Sequence, residues 1–293
     1  MILIGELINA TRKKVRAAVE TKDAGYIRDL ARRQADAGAA ILDVNGGIPE
    51  REAESLEWLV GLVQEVTDLP LAIDSSDPEV FRRAIPMCKS RPTINSITAE
   101  PARLDALLPV LKEFRPRAIA LCMSPAGPPS GVEDRLATAS RLVDRLAGEG
   151  GAELDDIFVD ACVMPVSTGA EQSAALLDAI GCIMRRFPGV HTSVGLSNVS
   201  FGVPARKLMN QTFLMLLMAR GLDAAILDPL DRQLMANLIA AEALLGRDEY
   251  CARYLRAYRA GKLEQPASES STPPSVSLQV PSTPGTTLVS ASQ

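Results

Sequence analysis

Short aliphatic or β-branched runs alternate along the chain with amphipathic stretches of roughly 12 to 20 residues, a rhythm that predicts strands alternating with helices. The predicted strands are Ile2–Ile8, Ala40–Val44, Leu71–Asp74, Thr93–Ser96, Ala118–Cys122, Ile157–Asp160, Thr192–Leu196 and Ala224–Leu227. The predicted helices are Ala24–Ala37, Glu50–Val66, Pro78–Met87, Pro101–Phe114, Val132–Gly148, Glu171–Phe187, Ala205–Arg220 and Asp231–Leu245, followed by a terminal helix over Glu249–Ala260. Eight such units over about 250 residues predict an α/β fold of the (β/α)8 TIM-barrel type. A doubly wound open sheet is the rival, but it seldom has eight equal units.

The last 29 residues differ in composition from the rest. Residues 265–293 contain eight Ser, four Thr and five Pro, and Glu269 is their one charged residue. Such a segment buries too little apolar surface to offset its ordering entropy. The sequence therefore predicts a barrel domain over residues 1–262 and a disordered, dispensable Ser/Thr/Pro-rich tail over 265–293.

Composition excludes several classes of function. The formal net charge is −5 and aromatic residues make up 4%, so neither phosphate neutralisation nor base stacking favours a nucleic-acid partner. His191 is the single histidine, which argues against a His-rich zinc site and most Ser-His or Cys-His catalytic centres. It precedes the seventh predicted strand, where a structural role is expected.

Other features indicate where the protein works. Five scattered cysteines without Cys-x-x-Cys spacing suggest reduced thiols. The N-terminus has its apolar residues before its basic ones, the reverse of a secretory signal, and no apolar run reaches about 18 residues. We therefore expect a cytoplasmic protein with no membrane span.

Polar residues recur at the carboxyl ends of the predicted strands, where TIM barrels carry their chemistry. These residues are Glu6 and Asn9, Asp43 and Asn45, Asp74, Asn95, Ser124, Asp160, Ser197 and Asn198, and Asp228. Together they predict a polar, mostly anionic cavity. Carboxylates and carboxamides side by side suit a neutral heterocycle rich in N–H and C=O groups. The alternative is a hard divalent cation on Asp43, Asp74 and Asp160, which the interleaved Asn residues disfavour.

The sequence motifs also carry a family resemblance. The most specific stretch is GLSNVSFGVPARKLMNQTFLMLLMARGLDAAILDP, from Gly195 to Pro229, supported by ILIGELIN, ILDVNGG, LAIDSS and TINSIT in the first four strand regions. From Met1 to about Arg259 the chain resembles the pterin-binding methyltransferases that act on methyltetrahydrofolate and a corrinoid protein. Dihydropteroate synthases share this barrel, but they would carry a Ser-Arg-Lys element near strand seven, where this chain has Leu196-Ser197-Asn198.

The resemblance implies roles for particular residues. Asp74, Asn95 and Asp160 match positions that hold the pyrimidinone side of the pterin, and Asn198 matches the catalytic Asn that reaches pterin N5. The remaining predicted substrate-binding residues are Gly195, Ser197, Arg206, Glu6 and Asp43. No metal ligand is predicted.

The expected activity is therefore transfer of a methyl group between 5-methyltetrahydrofolate, at N5, and the cobalt of a corrinoid (cobalamin) held by a partner protein. A chain that ligates the corrinoid itself would carry Asp-x-His-x-x-Gly, whereas Gly189 stands two residues before His191. The resemblance also implies a homodimer. Two alternatives remain open: a dihydropteroate synthase, and a non-catalytic barrel subunit that docks a corrinoid protein.

The basic run Arg12-Lys13-Lys14 follows the first strand on the side of the predicted cavity. It is either a solvated surface run or a contact for the folate glutamate tail or for an acidic partner.

Overall fold

A computed structural model describes residues 1–47, 51–169 and 171–263. In these ranges the strands are β1 Ile2–Asn9, β2 Ile41–Asn45, β3 Leu71–Asp74, β4 Thr93–Thr98, β5 Arg117–Leu121, β6 Ile157–Asp160, β7 His191–Ser193 and β8 Ala224–Leu227. The helices are α1 Lys13–Thr21, α2 Ala24–Asp36, α3 Glu52–Gln64, α4 Pro78–Ala84, α5 Pro101–Phe114, α6 Val132–Gly148, α7 Gln172–Arg186, α8 Arg206–Ala219, α9 Arg232–Leu244 and α10 Ala252–Arg259. The predicted disordered tail lies outside the described residues, as does Glu50, the predicted start of one helix.

The eight strands are parallel and form one sheet in the order β7-β6-β5-β4-β3-β2-β1-β8. Just beyond the end of β7, Ile226 N–H donates to the carbonyl of Val194 at 2.9 Å, and Gly195 bridges to Ile226. This short seam joins the two edge strands, so the sheet is a nearly closed barrel. The predicted (β/α)8 fold is confirmed.

Some predicted bounds were wrong for identifiable reasons. The seventh strand ends at Ser193, and the chain then turns through a 3-10 segment at Leu196–Ser200, so the predicted strand over Thr192–Leu196 is too long. Helix α1 was missed because its nine residues form a shorter stretch than the 12 to 20 residues taken as typical of the helices. The helix predicted over Pro78–Met87 ends at Ala84, since Pro86 lacks the N–H that would continue it.

The barrel interior is closed by a layer of apolar side chains. This layer comprises Ile4, Ile41, Ala72, Ile119, Phe158 and Ala224, with Ile2 and Ile226 packed against it. A second and larger core fills the space between the outer face of the strands and the surrounding helices. Within the described part of the chain, no helix is both long and apolar enough to cross a membrane.

His191 joins three segments at the end of the barrel where the strands begin. Its Nδ1 lies 2.7 Å from Asp223 Oδ2 and its Nε2 lies 3.2 Å from Asp155 Oδ1, while its ring stacks on Phe158 at 4.7 Å. The hydrogen bond to Asp223 raises the pKa of His191 above its ordinary value, although burial opposes that shift. His191 therefore holds three segments of the barrel together, which is the structural role expected from the sequence.

We predict that these interactions of His191 make the free energy of unfolding depend on pH. Because the pKa of His191 is raised on folding, its stabilisation is complete below the unfolded pKa of about 6.5 and is lost as the pH rises through the folded pKa. His191→Gln should therefore cost about 1 kcal/mol more unfolding free energy at pH 6 than at pH 9. Urea unfolding of both proteins measures this difference. A loss of unfolding free energy that does not vary with pH would show that a charged His191 does not stabilise the fold.

Candidate active site

A cavity of about 830 Å³ opens at the carboxyl ends of the strands. All nine residues proposed from the sequence line it: Glu6, Asp43, Asp74, Asn95, Asp160, Gly195, Ser197, Asn198 and Arg206. The structure therefore brings the whole predicted set into one site, while the roles assigned to its members stay predictions.

The two-residue period of a strand explains this convergence. Side chains at positions i and i+2 point to the same side of a sheet. On β1, Ile4 belongs to the apolar interior layer and Glu6 lines the cavity directly above it. The same step relates Ile41 to Asp43, Ala72 to Asp74, Phe158 to Asp160 and Ile226 to Asp228. A polar cavity floor thus rests on an apolar layer.

Two carboxylates, on β2 and β3, are held by carboxamides from β4 and β2 respectively. Asn95 Nδ2 donates to Asp43 Oδ1 at 2.8 Å, and Asn45 Nδ2 donates to Asp74 Oδ2 at 2.9 Å. Burial, and then the nearby charge of Asp74, raises the pKa of Asp43 well above its ordinary value. Burial also raises the pKa of Asp74, which the hydrogen bond from Asn45 opposes. Both groups therefore bind protons more readily than exposed carboxylates.

Asp160 is held by backbone rather than by side chains. The N–H of Cys162 donates to Asp160 Oδ1 at 2.9 Å from a left-handed conformation, with φ of 61°. The fully buried Arg135 fixes this turn by donating to the carbonyls of Ala161 at 2.8 Å and Cys162 at 3.3 Å. Burial raises the pKa of Asp160 to about 6, although hydrogen bonds from backbone N–H groups partly oppose the shift.

A different arrangement forms the other side of the cavity. Glu6 accepts hydrogen bonds from Arg12 at 2.7 Å and from the Ser197 hydroxyl at 3.0 Å. Arg206 donates to the Ser197 carbonyl at 2.8 Å, and its guanidinium lies over the Phe201 ring at 4.5 Å. Burial raises the pKa of Glu6, and the positive charge of Arg12 counters that effect. These hydrogen bonds, which run from Arg12 through Glu6 and Ser197 to Arg206, connect the start of α1 to the start of α8.

Asn198 differs from the other amides that line the cavity close to the strand ends. It is exposed, and its side chain has no hydrogen-bond partner among the residues that the structure describes. A Cβ at Gly195 would lie 2.9 Å from Asn198 Nδ2, so the glycine provides the space in which this side chain sits. Asn198 thus presents an unengaged amide to the cavity.

Sequence reasoning missed several contributors to the site. Asn45 was noted only as a residue at a strand end, yet it is the partner of Asp74. Arg103, in the first turn of α5, donates to the Ser96 carbonyl at 3.1 Å and so supports the β4 end of the cavity. A basic residue near a helix N-terminus is electrostatically unfavourable, and that mismatch is a signal that could have identified it.

The cavity also has apolar walls. Ile119, Leu121, Val163 and Met164 line it, so a flat ring could pack between aliphatic side chains while its polar edge meets the carboxylates. Among the described residues, no group of three or more His, Cys, Asp or Glu side chains is arranged to hold a metal ion.

Comparison with known proteins identifies the class. The sequence model described as "Pterin binding enzyme" matches residues 5–228, and the chain therefore belongs to the pterin-binding enzyme family. A methylcorrinoid:tetrahydrofolate methyltransferase from Eubacterium limosum is 41% identical over 266 residues, which cover 90% of this chain and 98% of that protein. The methionine synthase of Mycobacterium leprae is 30% identical over 244 residues, which cover 77% of this chain and 20% of that longer protein.

Solved structures agree on the fold. Dihydropteroate synthase from Vibrio fischeri matches with a TM-score of 0.65 at 17% identity, covering 84% of this chain and 93% of that one. The Xanthomonas albilineans dihydropteroate synthase with 4-aminobenzoic acid matches with a TM-score of 0.60 at 22% identity, covering 84% and 92%. At such identities the likeness establishes the shared barrel and nothing about the reaction.

We predict that the ionised carboxylate of Asp43 lowers the free energy of unfolding. A carboxyl whose folded pKa is raised destabilises the fold increasingly as the pH rises above the unfolded value of about 3.8. Asp43→Asn keeps an acceptor for Asn95 and removes the charge. It should raise the unfolding free energy by about 1 kcal/mol or more at pH 8, with the gain vanishing towards pH 4.

Denaturant titrations at the two pH values provide the measurement. Asp43→Ala is the matched control, because it leaves Asn95 without its partner and should lose stability at both pH values. An Asp43→Asn protein that is less stable than wild type at pH 8 would show that the ionised carboxylate is stabilised in the fold.

Proposed function

We propose that this protein is a methyltransferase that moves a methyl group between N5 of tetrahydrofolate and the cobalt of a corrinoid carried by another protein. The observation that carries the proposal is a difference in hydrogen bonding among the polar groups that line the cavity. One wall is a fixed set of hydrogen-bonding groups, whereas Asn198 stands in the same cavity with an amide that no described residue engages. The 41% identical Eubacterium limosum methyltransferase supports it independently.

The fixed wall suits the pyrimidinone side of a pterin. Asn95 uses its N–H on Asp43, so its carbonyl oxygen remains as an acceptor. Asp74 accepts from the protein on Oδ2 and keeps Oδ1 as an acceptor. Asp160 accepts from the backbone N–H groups of Cys162 and Gly195, and its carboxylate retains further lone pairs as acceptors. After these internal bonds the wall presents mainly acceptors, which is what the amino group and ring N–H groups of a pterin require.

Asn198 is proposed to act at the reacting nitrogen. A tertiary amine is a poor leaving group, so N5 needs a proton or a strong hydrogen bond as its methyl group departs. In the reverse direction, N5 loses its proton as it gains the methyl group. An amide aimed at N5 stabilises the charge that develops there and needs no titratable base.

The corrinoid would supply the electron pair of reduced cobalt for the new bond to the methyl carbon, while the pair of the broken N5–C bond stays on N5. In the reverse direction N5 would supply the pair for the new bond, and the pair of the cobalt–carbon bond would stay on cobalt. We propose that the corrinoid arrives on a separate protein. The single histidine of the chain, His191, lies at the strand-beginning end of the barrel, bound between Asp223 and Asp155 and remote from the cavity. The chain's own residues then bind and orient the folate. The homodimer and the cytoplasmic location expected from the sequence stay predictions.

One assay tests the activity directly. The protein is incubated with 5-methyltetrahydrofolate and chemically reduced free cobalamin, and methylcobalamin formation is followed by its absorbance. Methyl transfer supports the proposal. Formation of dihydropteroate from a pterin pyrophosphate and 4-aminobenzoate, without methyl transfer, would instead establish the dihydropteroate synthase alternative. Tight folate binding with neither reaction would indicate a non-catalytic subunit.

We predict that folate affinity falls at acidic pH because of Asp160. An ionised carboxylate accepts hydrogen bonds from ligand N–H groups on both oxygens, whereas a protonated one carries a donor on one of them, and burial raises the pKa of Asp160 to about 6. The Kd should be constant above pH 7 and should rise up to about tenfold per unit below pH 6. Calorimetry of wild type and Asp160→Ala checks this. The variant should bind about 1–3 kcal/mol more weakly at pH 8, and its affinity should fall less than that of wild type as the pH is lowered below 6.

We predict that Asn198 contributes to the rate more than to affinity. A contact that strengthens only in the transition state lowers the barrier without tightening the ground state. Asn198→Ala should reduce the single-turnover rate at saturating folate by roughly 10²-fold, while Kd changes by a few-fold and the melting temperature hardly moves. The control is Asn237→Ala on α9, which should leave the rate intact. If Asn198 only supported the turn, lost stability would accompany a near-normal rate.

A further inference from the structure

Arg135, in the first turn of α6, is a fully buried cation. All of its side-chain hydrogen bonds go to neutral oxygens, and within the described ranges no carboxylate forms an ion pair with its guanidinium. Burial lowers the pKa of Arg135 below its ordinary value, because desolvation disfavours the charged form. An apolar side chain of similar size is often at least as stable in such a place. The buried cation therefore suggests a role in the neighbouring site, whose Asp160 ends β6.

The hydrogen bonds of Arg135 converge on the segment that follows β6. Its Nε donates to the carbonyl of Ala161 at 2.8 Å, and its Nη2 donates to the carbonyl of Cys162 at 3.3 Å. The other two bonds go to the carbonyl of Gly131 at 3.1 Å, just before α6, and to Gln172 Oε1 at 3.2 Å, where α7 begins. The planar guanidinium thus holds two consecutive carbonyl groups against the starts of two helices.

The carbonyl of Ala161 and the N–H of Cys162 belong to one peptide unit. Arg135 binds this unit at its carbonyl, and Asp160 Oδ1 accepts from its N–H at 2.9 Å. Because the peptide is planar and trans, its C=O and N–H point in opposite directions, so fixing one also fixes the other. A cationic donor on the carbonyl also polarises the peptide and strengthens its N–H as a donor.

The conformation of Cys162 requires such support. Its φ of 61° lies in the left-handed region, which is unfavourable for a residue with a Cβ. Arg135 binds the carbonyl groups before and after the Cα of Cys162, so it holds both of the peptide units that define this conformation. Val163 and Met164, which line the cavity, follow directly.

We infer that Arg135 is a positioning residue of the folate site, acting on the Asp160 carboxylate through the peptide unit between Ala161 and Cys162. This inference rests on the proposed function, in which Asp160 accepts hydrogen bonds from the pterin. The Cys162 N–H favours the ionised form of Asp160 and fixes the orientation in which its carboxylate meets the ligand. Arg135 is not among the residues that line the cavity, so it acts through this peptide rather than on the ligand.

The first test measures the titration of Asp160 in the ligand-free protein by carbon-13 NMR of labelled aspartate carboxyl groups, with Asp160→Asn to assign the signal. Arg135→Lys keeps a nitrogen donor but loses the planar fork that binds both carbonyls. The pKa of Asp160 should rise from about 6 to about 7, because a weakened Cys162 N–H bond favours the protonated form. Arg141→Lys, the same change at an exposed arginine of α6, should leave it at about 6.

The second test follows 5-methyltetrahydrofolate binding by calorimetry. Relative to wild type, the Kd of Arg135→Lys should be raised about threefold more at pH 6.5 than at pH 8.5, where Asp160 is ionised in both proteins. If Arg135→Lys does not fold, Gln172→Ala replaces it, because that change removes one acceptor of the guanidinium and leaves the buried arginine in place. Gln172→Ala should raise the pKa of Asp160 in the same direction by a smaller amount.

A double-mutant comparison tests the route through the peptide. Glycine adopts positive φ readily, so Cys162→Gly reduces the need for the support that Arg135 provides. Cys162→Gly should lower the pKa of Asp160 more in the Arg135→Lys background than in wild type. Equal effects in the two backgrounds would show that Arg135 does not act through the left-handed conformation of Cys162, and would overturn the inference.

Two further outcomes separate this inference from the proposed function. If wild type binds folate and the pKa of Asp160 is the same in folded Arg135→Lys and Gln172→Ala proteins, only the inference is wrong. A lower melting temperature with an equal loss of affinity at both pH values would then mean that Arg135 serves packing alone. If wild type binds no folate, the proposed function fails and the inference fails with it. A raised pKa together with the pH-dependent loss of affinity supports both.

Discussion

The site depends on one packing constraint, which is the apolar layer that closes the barrel. Ile4, Ile41, Ala72 and Phe158 fill the interior. Because strand side chains repeat every two residues, filling those positions places the next inward residue of each strand at the cavity floor. A slip of one residue would send a carboxylate into the helix-facing core, where nothing could solvate it. Burial of the apolar layer therefore fixes the register that aligns the polar residues.

The buried carboxylates at the cavity floor destabilise the fold when they are ionised, and the neighbouring hydrogen-bond donors offset this effect only in part. Burial raises the pKa of each of Glu6, Asp43, Asp74 and Asp160. The donors available to them are two carboxamides, an arginine, a serine and backbone N–H groups, which is less than full compensation. Under the proposed function, the N–H groups of a bound pterin would supply further donors to these carboxylates and so stabilise the fold. Residues that break local rules in this way tend to mark functional sites.

The barrel and the polar residues at its strand ends could be predicted from period-two alternation, and the family resemblance added Gly195 and Arg206. The sequence could not predict which polar groups bind one another. That Asn95 turns its N–H to Asp43, and Asn45 to Asp74, depends on distances across strands that exist only after the barrel closes. It also missed α1, whose buried Val15, Ala18 and Val19 have helical spacing but lie in a stretch of only nine residues. The early end of β7 was hidden for a similar reason, since the aliphatic pattern continues through Leu196 although the backbone has already turned.

Under the proposed function, that early end of β7 separates the catalytic group, Asn198, from the groups that bind the pterin. Where a strand continues, its inward side chain is fixed by the ladder and serves as part of a rigid wall, as Asp74 and Asp160 do. Past Ser193 the backbone leaves the ladder, rejoins β8 through the seam at Val194 and Gly195, and turns, so Asn198 stands beyond the wall with its amide unengaged. Groups that must hold a ligand bind it better when protein hydrogen bonds already fix their orientation. A group that must respond to charge developing during the reaction acts better without such a bond, because a protein acceptor would compete for the same N–H.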